Sequence, residues 1–422
     1  MTVGIVGGGI SGLALHHHLR QRGVESVVFE ADSEPGGVIS SRVVDGRVVE
    51  DGPQRTRLSP PVASLVDDLG LGDAVVEAAD APLYVYRDGR LRRVPFSLRE
   101  GVSTDLLSPR GKLRLLLEPL TGPPRGDESV EAGLTRMLGA EAAEYVVGPL
   151  YGGIYGSHPA EMPMRHSLGR ALEKRGVGRS LLVAAARAKL RGPDPPPVVT
   201  FEDGLGALPR ALAERHGDRV RLGTPVESVR EADDGYVIAT PGGETAVDRV
   251  VVTTPADVTA DLLAGLAPES ADALDRLAYN PLAVVHLESA APLDASGFQV
   301  QYEEPFRTLG VTCTGTLFDR GRRHTAYLGG ARDPELVTAP ASTIREVAER
   351  EFEALTGVAA TAVDATRLRR GMPAYDRTWD ALEAVGLPPG IDLCANYAAR
   401  AGIPGRLRSA ERLAGQIADG NA

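Results

Sequence analysis

The first 30 residues contain the pattern that most restricts how this chain can fold. The apolar segment 3–6 predicts a short buried strand, 11–22 predicts a helix that ends at Gly23, and 24–29 predicts a second strand. Between the first strand and the helix stands Gly7-Gly8-Gly9-Ile10-Ser11-Gly12, which has the spacing G-x-G-x-x-G in the setting this motif requires. Strand, helix and strand joined by short loops predict the start of a parallel, doubly wound sheet.

The glycine loop predicts a dinucleotide site, because each glycine has a separate task. Gly7 permits a tight turn, Gly9 lets a pyrophosphate approach the backbone, and Gly12 allows the helix to pack closely on the strand. The first helical residues, Ile10 and Ser11, would present their amides to the anion. We therefore expect these five residues to bind the cofactor.

The residues that follow favour FAD over a nicotinamide cofactor. Glu30 comes 18 residues after Gly12, at a distance where a carboxylate accepts hydrogen bonds from the adenosine ribose and would repel the 2′-phosphate of NADP. A second glycine pair, Gly36-Gly37, follows, with Arg42 and Gly52-Pro53 further on. This is the arrangement of glutathione-reductase-type flavoproteins.

No other segment carries the complete glycine motif, so a separate nicotinamide-binding fold is not expected. Gly204-Leu205-Gly206 leads to Pro209 where the motif needs glycine, and Gly152 to Gly156 follows a predicted helix. Electrons would then come from an organic substrate and leave to oxygen or another acceptor. The sequence predicts a flavin oxidase.

Composition excludes several other classes of protein. A net charge of -11 over 422 residues argues against a general affinity for nucleic acid, and no run of about 18 uncharged apolar residues predicts a membrane span. Cys313 and Cys394 lack metal-ligand spacing, and His16-His17-His18 point around a helix, so we expect no metal and a helix surface at the histidines. The start of the chain has no export signal, which favours the cytoplasm.

The order of elements predicts an α/β protein with a glutathione-reductase-type FAD-binding Rossmann domain, an α+β substrate domain and a helical insertion. Expected helices include 104–118, 128–147, 167–191, 341–356 and 405–418. The segment 220–230 is expected to be strand-like, and the proline tract 192–197 is expected to be a linker. The expected FAD domain comprises 1–58, 198–260 and 385–422, the substrate domain 59–98 and 261–384, and the insertion 99–197.

Several motifs, in order along the chain, resemble those of the FAD-dependent protoporphyrinogen and coproporphyrinogen oxidases of the flavin amine-oxidase superfamily. The matching blocks are Glu30 with Gly36-Gly37, Glu50-Asp51-Gly52-Pro53, Pro149-Leu150-Tyr151-Gly152-Gly153-Ile154-Tyr155-Gly156, Met162-Pro163-Met164-Arg165, Tyr279-Asn280-Pro281, and Pro373-Ala374-Tyr375 with Trp379. The block at 149–156 distinguishes this family from generic amine oxidases.

The resemblance implies further site residues and a reaction. FAD contacts are implied at Val226, Trp379, Asn396 and Gly402-Ile403. Gln54, Arg55 and Arg57 stand where the family has active-site polar residues, and they could bind substrate carboxylates. The implied activity is oxidation of a porphyrinogen in heme biosynthesis by hydride transfer to flavin N5, with oxygen as acceptor and with no catalytic base identified.

Two departures from the family pattern keep other interpretations open. Leu83 replaces an arginine that contacts a substrate propionate, and Ala395 replaces a glycine. One alternative is an oxidase or desaturase of another cyclic, amine or polyene substrate, although no lysine follows Lys189, which counts against amine oxidation. Another is a non-catalytic, tetrapyrrole-binding flavoprotein. Peripheral contact with the inner face of a membrane and the oligomeric state also stay open.

Overall fold

The computed structural model describes residues 1–167, 169, 180–192, 194–398 and 402–420. The strands are β1 Thr2–Val6, β2 Glu25–Phe29, β3 Ser41–Val44, β4 Arg47–Glu50, β5 Thr56–Arg57, β6 Val75–Glu77, β7 Leu83–Arg87, β8 Arg90–Arg93, β9 Val198–Phe201, β10 Val220–Arg221, β11 Ser228–Ala232, β12 Gly235–Thr240, β13 Gly243–Val247, β14 Arg249–Val252, β15 Tyr279–Ser289, β16 Gly297–Val300, β17 Thr308–Thr312, β18 Arg323–Gly329, β19 Ala360–Pro373 and β20 Ile391–Leu393.

The α-helices are α1 Ile10–Gln21, α2 Pro60–Leu69, α3 Leu98–Ser103, α4 Pro109–Leu116, α5 Val130–Leu138, α6 Ala140–Ala142, α7 Gly148–Tyr155, α8 Leu181–Arg191, α9 Ala207–His216, α10 Ala256–Leu263, α11 Pro268–Asp275, α12 Thr314–Phe318, α13 Ala341–Thr356 and α14 Ile403–Ala418. Short 3₁₀ turns occur at Glu118–Leu120 and Arg377–Ala384 among others, and Ala143–Val147 is a π-helical turn.

The chain divides into two compact units. The first comprises Met1–Ala78, Pro196–Leu277 and Asp380–Ala422, and the second comprises Ala79–Pro195 and Ala278–Trp379. One boundary falls inside the proline tract 192–197, of which Pro193 lies outside the described residues.

The first unit is built on a parallel sheet with the strand order β10-β2-β1-β14-β20. Its strands pair in parallel register, so that Val3 lies beside Ser26 and Arg249. The neighbouring strands β1 and β14 consist mainly of buried apolar residues, which is typical of a parallel sheet covered on two faces. Helices α1 and α14 pack on one another in the main core of this unit. The predicted α/β, Rossmann-type fold class is confirmed.

The second unit contains a seven-stranded sheet with the order β19-β15-β18-β17-β16-β7-β8. All neighbouring pairs are antiparallel except β16 with β7. Helix α13 covers the sheet and contributes Ile344, Val347 and Phe352 to a buried cluster that includes Phe298. Helices α3 to α8 also belong to this unit.

Several predicted element boundaries were wrong, and each error has a local cause. The predicted helix 104–118 begins only at Pro109, because the Ser108 hydroxyl caps it by accepting a hydrogen bond from the Gly111 amide. The predicted helix 128–147 breaks at Gly139, where φ is +94°. The predicted strand 220–230 is two short strands separated by a loop, in which Gly223 has φ +58°.

Two further predictions concern the ends of the helical insertion and of the chain. The predicted helix 167–191 falls partly on 168 and 170–179, which lie outside the described residues, and its described part is α8. The final helix begins at Ile403, two residues earlier than predicted, because Pro404 suits the first turn of a helix.

The three histidines of α1 do not form the helix surface that was predicted. His16 and His17 are buried, because α9, α14 and the parallel sheet enclose α1. Nδ1 of His16 lies 2.8 Å from the Ser26 hydroxyl, and His17 contacts His216 and Asp68, both at 3.2 Å. Burial and the nearby positive charge of His216 and Arg20 lower the pKa of His16 to about 3.

Candidate functional site

The predicted cofactor residues of the first unit follow the carboxyl ends of its parallel strands. Gly7 follows β1, Glu30 follows β2, and Thr253 follows β14. Ligands of open parallel sheets bind outside these ends, where adjacent loops diverge. The edge beyond β1, β2 and β14 is therefore the candidate site.

The turn after β1 needs a glycine at its first position. Gly7 has φ +109°, and its amide donates to the Phe29 carbonyl at 2.8 Å. The Thr253 hydroxyl donates to the carbonyls of Val6 and Gly7, both at 2.9 Å. A Cβ at Gly7 would lie 2.5 Å from that hydroxyl oxygen. Thr253 was missed as a site residue, because its role depends on a strand pairing across 246 residues.

Gly12 and Gly9 have opposite surroundings. A Cβ at Gly12 would lie 2.0 Å from the Gly7 carbonyl oxygen, so helix and loop touch there. A Cβ at Gly9 would have only the Gly36 carbonyl oxygen nearby, at 3.9 Å. Gly9 is also the N-cap of α1, where no described side chain caps the helix. The first amides of α1, including those of Ile10 and Ser11, thus face an open cradle that fits a pyrophosphate.

Glu30 is held in place by backbone amides. Its two carboxylate oxygens accept from the amides of Gly8 at 2.5 Å and Asp32 at 2.9 Å. Each oxygen retains a further lone pair, which a ribose hydroxyl could use. Burial raises the pKa of Glu30, and the two amides counteract that rise.

The second glycine pair lies against the first loop. The Gly36 amide donates to the Gly8 carbonyl at 2.9 Å, and Gly36 forms an isolated parallel bridge with Gly9. Gly36 has φ +115° and Gly37 has φ +59°. A Cβ at Gly37 would approach only the Cα of Gly9, at 3.9 Å. The structure therefore brings the two predicted glycine motifs together.

Gly52, Pro53 and Arg42 lie near the hairpin of β3 and β4. A Cβ at Gly52 would lie 2.0 Å from the Val38 carbonyl oxygen, so only glycine fits. The Arg42 guanidinium pairs with Asp51 at 2.9 Å and is 41% exposed. Arg42 thus bridges β3 to the residue after β4, and no bound molecule is needed to explain its position.

A buried carboxylate in the same hairpin organises a loop that was not predicted as part of the site. Glu50 is 1% exposed and accepts from the Leu205 amide at 2.9 Å and from the Ser41 hydroxyl. The Ser41 oxygen in turn accepts from the Gly206 amide at 2.7 Å. A Cβ added at Gly36 would lie 3.2 Å from the Cβ of Pro209, a residue of α9. The helix that follows this loop therefore packs against the second glycine pair.

The remaining cofactor candidates of the first unit lie in loops that follow β10 and β20. The Thr224 amide donates to the Glu30 carbonyl at 2.7 Å, which brings the loop of Val226 to the end of β2. Asn396 follows β20, and Gly402, with φ +82°, is the N-cap of α14, which begins at Ile403.

The predicted substrate residues differ in exposure. Gln54 is buried, and its amide nitrogen donates to the Gly52 carbonyl at 3.1 Å. Arg55 and Arg57 are exposed, and the Arg57 guanidinium donates to the Pro196 carbonyl at 2.9 Å. Gln54 therefore supports the glycine turn, while the two arginines present positive charge at the surface of the first unit.

Trp379 belongs to the second unit. It is 3% exposed and stacks on Tyr375, with 4.2 Å between ring centroids and 30° between planes. Its indole nitrogen has no hydrogen-bond acceptor within the described parts of the chain. A buried N–H without a partner is unfavourable, so this atom fits a bound group that supplies an acceptor.

These features define a class of protein. Two glycine loops, an open helix N-terminus and a half-buried carboxylate after β2 match the needs of a long dinucleotide, and FAD is the cofactor. The chain is an FAD-dependent oxidoreductase.

Comparison with known proteins places the chain in a family. Residues 10–418 match the flavin containing amine oxidoreductase family, to which the chain belongs. A chloroplastic protoporphyrinogen oxidase from Oryza sativa subsp. japonica is 32% identical over 391 residues, which covers 82% of this chain and 73% of the relative. A coproporphyrinogen III oxidase from Staphylococcus aureus is 30% identical over 284 residues, 61% of each chain.

A solved structure shares the fold over nearly its whole length. The protein, from Exiguobacterium sp. 255-15 and provisionally named a protoporphyrinogen oxidase, has a TM-score of 0.82 at 23% identity and covers 99% of both chains. Cyclohexylamine oxidase from Brevibacterium oxydans IH-35A shares the fold less closely, with a TM-score of 0.72 at 15% identity.

Proposed function

We propose that this chain oxidises a porphyrinogen, protoporphyrinogen IX or coproporphyrinogen III, to the porphyrin in heme biosynthesis. The 32% identity with the rice enzyme over most of both chains carries this proposal. The S. aureus relative supports the same chemistry on a second porphyrinogen, so the class of substrate is better supported than the particular one.

The first unit would hold FAD. When bound, FAD accepts a hydride at N5 and so supplies the redox chemistry. The first amides of α1 would bind the pyrophosphate, Glu30 the adenosine ribose, and the loops of Val226, Asn396 and Gly402 the rest of the cofactor. No catalytic base is assigned, and the protein's task is binding and orientation.

An anaerobic half-reaction tests this function directly. The FAD-loaded protein is mixed with coproporphyrinogen III, protoporphyrinogen IX or cyclohexylamine while flavin absorbance is followed, with free FAD as the control. Rapid bleaching is expected with at least one porphyrinogen and not with the amine. If neither porphyrinogen bleaches the flavin, the proposal is wrong. Bleaching by the amine alone would identify an amine oxidase, and porphyrinogen binding without bleaching a non-catalytic flavoprotein.

Oxygen is the electron acceptor that we propose. The sequence contains no second complete glycine motif for a nicotinamide. Air-saturated buffer should reoxidise the bleached flavin with release of hydrogen peroxide, measured with an oxygen electrode and a peroxidase assay. Reoxidation by a quinone but not by oxygen would contradict this part of the proposal.

Arg57 is proposed to bind a substrate carboxylate. Arg57→Ala should raise KM for the porphyrinogen about tenfold or more, because a hydrogen bond to a charged group is worth about 1.5–3 kcal/mol. Arg408, exposed on α14, supplies the matched control as Arg408→Ala. Equal KM values for the two variants would remove Arg57 from the substrate site.

Peripheral contact with anionic lipid is also proposed, through the second unit. No described helix is both long and apolar enough to cross a bilayer. Four leucines at α4 and the following turn are nevertheless strongly exposed, and we call them the leucine surface: Leu113, Leu116, Leu117 and Leu120. Arg110 is exposed beside them and Lys112 is partly exposed, a combination that suits the interface of an anionic membrane.

Vesicle flotation tests the leucine surface. The protein should float with vesicles containing phosphatidylglycerol and not with phosphatidylcholine alone, and the double variant Leu116→Asn/Leu120→Asn should not float. Val43→Asn, at an exposed apolar residue of the first unit, is the control. Flotation of the double variant at the wild-type level would contradict lipid contact at this surface.

A further inference from the structure

Three loops start side by side at the carboxyl edge of the parallel sheet in the first unit. Strands β1, β14 and β20 are neighbours in that sheet, and Val252, at the end of β14, lies beside Val6 and Leu393. The proposed function assigns the loops after β1 and β20 to FAD. The loop after β14 starts between these two, so contacts from it to both sides would decide how they are arranged.

A buried hydrogen bond joins the loop after β20 to the helix after β14. Tyr397 lies just beyond β20, is 2% exposed, and donates from its hydroxyl to the Thr259 hydroxyl oxygen at 2.8 Å. Thr259 belongs to α10 and is fully buried. The two residues are separated by 138 positions in the chain, so the bond forms only after the sheet has brought their elements together.

The Thr259 hydroxyl is the junction of three hydrogen bonds. It donates its single proton to the Pro255 carbonyl at 2.9 Å and accepts from Tyr397. The Thr254 hydroxyl lies 2.9 Å from the same oxygen and therefore donates to the remaining lone pair. The one proton and both lone pairs of Thr259 are then used, and a buried polar group that is fully satisfied in this way makes its surroundings rigid.

Thr254 connects this junction to the glycine turn after β1. Its methyl carbon Cγ2 would lie 3.4 Å from a Cβ at Gly7, so one side of Thr254 faces that turn while its hydroxyl faces Thr259. The preceding residue, Thr253, donates to the Gly7 carbonyl at 2.9 Å. The turn after β1 is therefore held against the loop after β14, and that loop is held against the loop after β20.

A second buried tyrosine of the same unit shows what is particular to Tyr397. Tyr236, on β12, is 5% exposed and donates to the Pro389 carbonyl at 2.7 Å. Pro389 precedes β20, whereas Tyr397 follows it. The two tyrosines thus make bonds of similar length at opposite ends of one strand. Of the two, the Tyr397 bond lies at the carboxyl edge, where ligands of parallel sheets bind.

We propose that Tyr397 and Thr259 are positioning residues for FAD, whose hydrogen bond holds the loops after β14 and β20 in the arrangement that the cofactor requires. Without this bond the loops sample more conformations, and binding must supply the free energy of ordering them. The proposal rests on the proposed function in taking these loops as part of the FAD site. All residues that it invokes lie in the first unit.

Isothermal titration of the FAD-free protein with FAD tests the bond. Tyr397→Phe and Thr259→Val each retain nearly the original shape and remove one hydroxyl. Both should raise the Kd for FAD about fivefold, as expected for the loss of one hydrogen bond. Tyr236→Phe is the matched control, which should lower the melting temperature as Tyr397→Phe does and leave the Kd unchanged. If Tyr397→Phe lowers the melting temperature but binds FAD as the wild type does, the proposal is wrong.

Two further variants separate the hydrogen bond from the packing around Thr259. Thr259→Ser removes the methyl group and keeps the hydroxyl, so its Kd for FAD should stay at the wild-type value. The double variant Tyr397→Phe/Thr259→Val removes the same bond as each single variant, so its Kd should exceed the larger single value by less than about twofold. Effects that multiply, or an equally weak Thr259→Ser, would show that packing sets the affinity and would overturn the proposal.

ADP distinguishes positioning from direct contact with the flavin. It shares the adenosine and pyrophosphate groups of FAD but lacks the isoalloxazine ring, so it should occupy the part of the site around Gly7 and Glu30. Tyr397→Phe should weaken ADP by the same factor as FAD, because the constraint reaches the Gly7 turn. Unchanged ADP affinity together with weakened FAD would make Tyr397 a flavin contact and rule out the positioning role.

None of these titrations contains a porphyrinogen. If porphyrinogens fail to bleach the flavin while Tyr397→Phe weakens both FAD and ADP, the proposed function is wrong and the positioning role stands. If a porphyrinogen bleaches the flavin and Tyr397→Phe leaves both Kd values unchanged, the positioning role is wrong and the proposed function stands. A wild-type protein that binds no FAD would overturn both.

Discussion

The two units build their proposed sites by different means. In the first unit, the loops after β1 and β2 are shaped by residues without side chains, because a Cβ at Gly12 or Gly52 would lie 2.0 Å from a carbonyl oxygen. In the second unit, the turn at Tyr375 is shaped by side chains, and the Ser157 hydroxyl reaches it across 217 residues of sequence. A site built from backbone is visible in a sequence as spaced glycines, whereas a site held by distant side chains has no local signature.

The largest effect is expected from a single methyl group in the first unit. Gly12→Ala places a Cβ against the Gly7 carbonyl, so the loop must move and FAD should be lost on purification, which the flavin absorbance of the purified protein measures. Gly415→Ala, in α14 of the same unit, is the control, because a Cβ there meets nothing within 4 Å. If Gly12→Ala retains stoichiometric FAD, the backbone does not set the shape of this site.

A second variant tests whether a buried side chain in the first unit contributes as much to FAD binding as the glycine backbone does. Glu50→Ala leaves the buried Leu205 amide and the Ser41 hydroxyl without their acceptor, which should lower the free energy of unfolding by about 2 kcal/mol. Urea unfolding measures this, with the exposed Glu214→Ala as control. FAD should bind more weakly but still be retained. Complete loss of FAD, as expected for Gly12→Ala, would show that side chains shape the site of the first unit as strongly as the glycine backbone does. The difference drawn between the two units would then be wrong.

A smaller effect is expected from acid, and part of it should arise at His16 in the first unit. The folded state depresses the pKa of His16 to about 3, while the unfolded chain takes up the proton near its usual value of about 6.5. The stability that uncharged His16 contributes is therefore fully present above about pH 6.5 and is lost progressively as the pH falls towards about 3. The Nε2 atom of His16 has no partner in the described chain, so a proton there would remain unsatisfied.

The measurement is the melting temperature at pH 7 and pH 5. The wild type should lose on the order of 5 °C more than His16→Asn, which cannot take up the proton. His158→Asn, in the second unit, should follow the wild type. An equal loss in wild type and His16→Asn would show that acid acts elsewhere.

The sequence predicted best the parts of the fold that depend on neighbours in the chain. The bounds of β1, α1 and β2 were predicted within one residue, because apolar strands and a glycine loop alternate there. Helix α13 was predicted with its observed bounds, because its apolar residues recur at helical spacing and Gly357 ends it. The FAD cofactor and the family followed from the same local patterns.

The features that the sequence did not predict depend on contacts between residues that are distant along the chain. The three histidines suggested a surface because nothing in the sequence shows that α9 and α14 enclose α1. Thr253 was not chosen as a site residue, because its bonds to Val6 and Gly7 exist only once β14 pairs with β1. Tyr375 was matched as part of a motif, but a positive φ at tyrosine is a property of the assembled turn.

The strand order of the first unit has a consequence for biosynthesis. The glycine loop ends at Gly12, but β14 and β20, which extend its sheet, and α14, which packs on α1, all come after residue 248 of the chain. We therefore expect that the flavin site forms only once α14 has left the ribosome. Until then the nascent chain has its earliest helix incompletely covered, and chaperones would matter most in that period.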